Sequence, residues 1–102
     1  MILKQGEQKN VDLVVTYGHK PLDVRTATIT MKACDKNNNI IFDKKNEDFS
    51  KVNGQMGGFS FIITATDTSI EPGTYTCYVQ IQVGNLIDKT ITFPLTIEYS
   101  PA

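Results

Sequence analysis

The run Tyr75-Thr76-Cys77-Tyr78-Val79-Gln80-Ile81-Gln82-Val83 places an apolar side chain at every odd position and a polar or amphipathic one between. Successive side chains on an extended backbone point to opposite sides, so this period of two marks a β-strand with one buried and one solvated face. After Gly84-Asn85 the chain returns through Ile91, Phe93, Leu95, Ile97 and Tyr99 at the same spacing. Gly-Asn suits a tight turn that needs positive φ, and the two runs predict a long hairpin. Ile87 and Ile91 share a parity with Lys89, which predicts a bulge there or a register regained only near Thr90. Pro94 has no amide hydrogen to give a ladder, so it is expected at an edge or a bulge.

The same alternation recurs upstream. Val11, Leu13, Val15 and Tyr17 face one way, and Ala27, Ile29, Met31 and Ala33 oppose Thr28, Thr30 and Lys32. Phe59, Phe61, Ile63 and Ala65 repeat it against Ser60 and Thr64. No window of helical length carries apolar residues at i, i+3, i+4 and i+7, so helix is expected only as a turn near Asp67-Thr68-Ser69-Ile70. Turn chemistry at Gly18-His19-Lys20-Pro21, Asp35 to Asn39, Asn53-Gly54, Gly57-Gly58 and Pro72-Gly73 separates the strands. Short strands at such spacing predict an all-β antiparallel sandwich of about seven to eight strands. The polar, aperiodic stretch from Lys44 to Gly58 is expected as a long loop or crossover between the two sheets.

The chain has 102 residues, 40% of them apolar, enough for one core but not two, so residues 1–102 are read as a single domain. Ten Lys and Arg against eleven Asp and Glu leave a net charge of −1, with a pI near 5.7. That balance gives no whole-chain attraction to nucleic acid or to an anionic membrane. The N-terminal Met1-Ile2-Leu3-Lys4-Gln5-Gly6 does not read as a secretory signal, and no apolar run approaches membrane-spanning length. Two cysteines fit a reducing compartment better than a disulfide scaffold.

The groups that could carry chemistry each have an ordinary reading. His19 lies in a Gly-His-Lys-Pro turn with no nucleophile motif beside it, so it reads as solvated loop. Asp35-Lys36-Asn37-Asn38-Asn39 spells half of a calcium loop, but Ile40 stands where glycine is required, and a β-turn is expected. Gly54, Gly57 and Gly58 lack the following Lys-Ser/Thr of a phosphate cradle and read as flexible loop glycines. Cys77 shares the apolar parity of Tyr75 and Val79, whereas Cys34 shares the polar parity of Thr28 and Lys32, so two free thiols are expected. Lys44, Lys45 and Lys51 alternate with Asp43, Glu47 and Asp48, which neutralises any nucleic-acid stripe. No catalytic residue, metal ligand or cofactor site is assigned. The residues that stand out are apolar or aromatic ones on outward parity, Val14, Ile62 and Tyr78, with Gln80 and Gln82 beside Tyr78 and the loop residues Phe49 and Met56. Converged on one patch, they would make an interaction surface.

The order of motifs adds a resemblance. Lys4-Gln5-Gly6-Glu7, then Pro21-Leu22-Asp23-Val24 leading into Ala27-Thr28-Ile29, then Ile70-Glu71-Pro72-Gly73-Thr74-Tyr75 before the final hairpin, is similar to the immunoglobulin-like N-terminal domain of phage upper baseplate proteins and related tail-associated domains. Arg25-Thr26 stands here for the usual Thr-Gly, and Glu7 for an aspartate. The resemblance implies an immunoglobulin-like sandwich that is a non-catalytic structural part of a phage or prophage virion. Its partners would be other tail or baseplate proteins, or a second copy of itself, and it would be made in the host cytoplasm. The alternative is a carbohydrate- or cell-surface-binding module of a larger secreted protein, with Tyr78, Phe49 and Met56 facing the ligand.

Overall fold

The computed structural model describes residues 1–101. The described chain is mostly β. In order it forms β1 (Ile2–Lys4), β2 (Lys9–Val14), β3 (Thr16–Tyr17), β4 (Lys20–Pro21), β5 (Thr28–Cys34), β6 (Ile40–Lys44), β7 (Gly58–Ile63), a helical turn α1 (Ala65–Thr68), β8 (Gly73–Val83) and β9 (Ile87–Glu98). Five strands join in the order β1-β9-β8-β5-β6, while β2 pairs with β7 and β3 with β4. The strands exceed the seven or eight expected because β3 and β4 are two-residue arms of a tight hairpin. Gly18 and His19 both take positive φ at its tip, at 61° and 66°, the pattern of a type I′ turn.

The central strand β8 is paired along its length on one side with β9 and over seven residues on the other with β5. Its odd-numbered side chains Cys77, Val79 and Ile81 are fully buried, as the alternation requires. They meet Ile29 and Met31 of β5, Leu95 and Ile97 of β9, and Val11, Phe59, Phe61 and Ile63 from the β2–β7 pair in one core. The two sheets thus turn their apolar faces toward each other.

Four expectations change. The large sheet is mixed rather than purely antiparallel, because β1 runs parallel to β9 with Ile2 opposite Thr96 and Lys4 opposite Glu98. β1 hands the chain across to the other sheet through the Lys4-Gln5-Gly6-Glu7 turn, so no hairpin dictates its direction. The register of β9 runs unbroken from Ile87 opposite Val83 to Ile97 opposite Gly73, with no bulge near Lys89. Lys89 therefore lies on the inner face, and its ammonium escapes burial by bonding the Thr16 carbonyl at the open margin of the sheet. Tyr17 is exposed, since the chain leaves the β2 line after Val15 to form the small hairpin. Ala65 is likewise not on a strand but opens α1, whose start is fixed by a reciprocal cap between Thr64 and Asp67.

Pro94 does sit where its lack of a donor is harmless. The Thr96 amide donates toward Met1 on the β1 side, and residues of the same parity point the same way, so the ring nitrogen of Pro94 faces away from β8.

The stretch from Lys44 to Gly58 is a crossover, from β6 in the large sheet to β7 in the small one, but it is closely packed rather than loose. Lys44 itself ends β6, and its ammonium pairs with Asp67 in a largely buried bridge. The Asn46 side chain accepts from the Ile29 amide at 2.9 Å, and Lys51 donates to the Ala27 carbonyl at 2.5 Å. Gly54, Gly57 and Gly58 are buried close-approach residues, not flexible ones. Gly57 has φ +83°, and a Cβ there would run into the Val15 carbonyl oxygen, whereas Gly84 at the hairpin tip has φ +55° and open space around it. Gly57→Ala is therefore expected to lower unfolding free energy by about 2–4 kcal/mol, through left-handed strain plus the clash, and Gly84→Ala by about 1 kcal/mol through strain alone. Urea titration of the two variants measures the difference, and equal losses would contradict the packed crossover.

Candidate functional site

The sequence-selected outward residues fall on two opposite faces. Val14 and Ile62 lie on the outer face of the β2–β7 pair, where Val14 stands opposite Gly58 and Ile62 opposite Asn10. Tyr78, Gln80 and Gln82 lie on the outer face of the large sheet. Val14 and Ile62 therefore do not converge with Tyr78, because they belong to the solvent side of the β2–β7 pair and Tyr78 to that of the large sheet.

The β2–β7 face gathers an apolar cluster. Val14, Val52 and Met56 are 69%, 88% and 61% exposed and rim a shallow groove of about 530 Å³ that also takes in Pro21 and Phe59. The crossover brings Val52 and Met56 here, since the Val15 amide donates to the Gly57 carbonyl at 3.0 Å and ties the loop to the end of β2. Val52 was invisible to the strand pattern because it lies in an aperiodic loop. Phe49, read from sequence as a ligand-facing loop residue, points the other way. It is only 9% exposed and packs against Phe61, with ring centroids 5.3 Å apart, and against Phe59. Its chain segment is held by the Ser50–Ser60 bridge, so the one aromatic residue of the crossover serves as its anchor in the core.

The large sheet presents a groove of about 680 Å³ and mixed polarity, lined by Tyr78, Gln80 and Thr30 together with Met31, Ile40 and Lys45. Register places Thr30, Gln80 and Thr90 in one cross-strand row and Lys32, Tyr78 and Thr92 in the next. Asp43 stands opposite Lys32 on β6, so the groove carries both signs of charge. The Lys32 ammonium lies 5.8 Å from the centroid of the half-buried Tyr78 ring. Gln80 donates from its amide to Asp88 at 3.1 Å, which orients it along the sheet. Gln82 sits further along, near the hairpin end and opposite Asp88.

The remaining polar motifs resolve as local structure. The Asp35 carboxylate accepts from the amides of Asn37 at 2.8 Å and Asn39 at 2.9 Å, and these bonds hold its pKa below the usual value. It thereby closes the β5–β6 turn, with Asn38 at φ 63°. His19 is exposed at the tip of the β3–β4 hairpin. Among the described residues no group of three His, Cys, Asp or Glu side chains is placed to hold a metal ion.

Cys34 and Cys77 are both free. Cys34 is buried despite its polar parity, and a register shift between Ala33 and Cys34 sets Ile40 opposite it. Burial pushes the Cys77 thiol from an ordinary 9.0 up to about 12, and the neighbouring Cys34 adds to the shift. At the start of β8, Tyr75 donates its hydroxyl to the Glu71 carbonyl at 2.5 Å, two residues before Cys77.

No protein-family model matches the chain, and no curated protein matches it.

Two outcomes follow from these placements. Phe49→Ala should cost about 3–5 kcal/mol in a urea titration, the loss expected of a core phenylalanine, where an exposed ligand-facing residue would cost almost nothing. The folded Cys77 thiol keeps its proton up to about pH 12, whereas in the unfolded chain it ionises near its ordinary 9.0. Its contribution to stability is thus complete below the unfolded value and is lost as pH rises toward the folded one. The Cys77→Val protein should accordingly lose less stability than wild type between pH 8.5 and 10.5; parallel profiles would contradict the assignment.

Proposed function

We propose that this protein is a non-catalytic interaction module of a phage or prophage virion, an immunoglobulin-like domain that docks on a baseplate or tail protein. The strand order supports the fold assignment. β9-β8-β5-β6 follows the G-F-C-C′ order of immunoglobulin domains, and β2–β7 follows their B–E pair. The Tyr75 hydroxyl bond to Glu71, two residues ahead of Cys77, has the form of the tyrosine corner at the start of strand F. The order of motifs from Gln5-Gly6 to Pro72-Gly73-Thr74-Tyr75 supports the virion assignment.

The observation that carries docking is the cluster of Val14, Val52 and Met56, three large apolar side chains more than half exposed around one groove. Water penalises such a cluster, and covering it with an apolar protein surface removes the penalty. Methionine at the rim adapts its shape to a partner at little cost. The near-neutral surface adds no steering toward a polyanion.

The secreted carbohydrate-binding reading loses two of its three ligand-facing residues, since Phe49 is in the core and Met56 lies on the face opposite Tyr78.

The test is incorporation into particles. In phage grown from the producing host, the wild-type protein should be found in purified tails or virions by mass spectrometry. The double variant Val14→Asp/Met56→Asp should fold with an unchanged circular dichroism spectrum yet be incorporated at least tenfold less. Absence of the wild type from particles, or equal incorporation of the variant, would overturn the reading.

A further inference from the structure

The groove over Tyr78 has a chemistry unlike that of the apolar cluster. Its floor is the outer face of the large sheet, with the Thr30-Gln80-Thr90 row beside the Tyr78 ring. Its wall is the β5–β6 turn and strand, which contribute Asn38, Ile40 and Asp43. The strand pairing shifts register at Cys34, next to this turn. At about 680 Å³ the groove lies within the roughly 300–1,000 Å³ range of small-molecule sites.

Among the described residues the hydroxyls of Tyr78, Thr30 and Thr90 and the side-chain amide of Asn38 make no hydrogen bond to protein. The Gln80 amide donates to Asp88, so its carbonyl oxygen is oriented and available. Solvent-facing donors and acceptors thus stand around one aromatic ring. Lys32 stands opposite Asp43 across the strands and Lys44 is paired with Asp67, so two of the three lining lysines face an acid and Lys45 is the third, while Asp88 beyond Gln80 opposes an anion. A protein interface would place apolar anchors at its centre. Here hydroxyls and amides stand beside a single aromatic ring and the apolar Met31 and Ile40, the complement of a molecule with polar edges and an apolar C–H face.

We propose that this groove binds a neutral oligosaccharide. One sugar ring stacks on Tyr78, in the position over the ring now taken by the Lys32 ammonium, and Lys32 swings to a sugar hydroxyl. Gln80, Thr30, Thr90 and Asn38 bond the remaining hydroxyls. This site is on the face opposite the apolar docking cluster, so it stands or falls independently of the virion reading.

The experiment is a two-dimensional NMR titration of the full chain with neutral hexose and N-acetylhexosamine oligosaccharides. Sialylated and sulfated oligosaccharides serve as anionic controls. A neutral oligosaccharide should shift the amides of β5, β8 and the β5–β6 turn while leaving β2 and β7 unmoved. Tyr78→Ala should weaken that binding at least tenfold. Tyr78→Phe, which keeps the ring and the fold, should weaken it only about twofold to threefold, and Val14→Asp should leave it unchanged. No neutral oligosaccharide binding at millimolar concentration, preference for the anionic controls, or binding that survives Tyr78→Ala would each overturn the proposal.

Discussion

Everything in this fold depends on β8 keeping its register with both neighbours. It is eleven residues long and lies at the centre of the five-stranded sheet. A slip of one residue against β9 or β5 would exchange Cys77, Val79 and Ile81 for Tyr78, Gln80 and Gln82 on the core side. Two amide side chains and a phenol would then be buried without partners while three aliphatic or thiol groups met water. The cost of that exchange fixes the inner face and, by the same alternation, lays out the polar rows of the outer one. Core and surface are two readings of one constraint.

The smaller sheet is held by its six-residue ladder and by the crossover beside it. Phe49 packs edgewise on Phe59 and Phe61, Ser50 bridges to Ser60, and the Gly57 carbonyl accepts from Val15. At the opposite end, Asp67 serves two partners at once. It caps α1 through the Thr64 amide at 2.8 Å and meets the Lys44 ammonium from β6. A two-stranded ribbon is marginal by itself. Here it is held at one end by backbone bonds and aromatic packing from the crossover and at the other by the Lys44–Asp67 bridge to β6.

What the sequence made legible follows from the same physics. Alternation in β2, β5, β7 and β8 identifies their inward residues directly, and the dipeptide Gly84-Asn85 marks the hairpin between β8 and β9. Pairing partners are not local, so the direction of β1 and the inward position of Lys89 could be read only from the assembled sheet. The burial of Cys34 required knowledge of a register shift that no single-strand pattern encodes. Of the candidate surface residues, Tyr78, Gln80 and Val14 were visible through parity. Phe49 was misplaced because an aperiodic loop carries no signal of which side chains turn inward, and the same silence hid Val52. Thr30 and Thr90 looked like ordinary strand residues until the ladder set them on either side of Gln80.

Lys89 has a consequence of another kind. From Ile87 to Phe93 the margin of β9 beyond β1 is unpaired, and its backbone amides and carbonyls could accept a stray strand from any neighbouring chain. An intruding strand laid there would have to pack beside an inward-turned ammonium, and Pro94 denies it a donor at the next step along. Self-templated aggregation is thus discouraged at the longest exposed ladder in the molecule. The sheet margin can stay open on these terms without the chain polymerising through it.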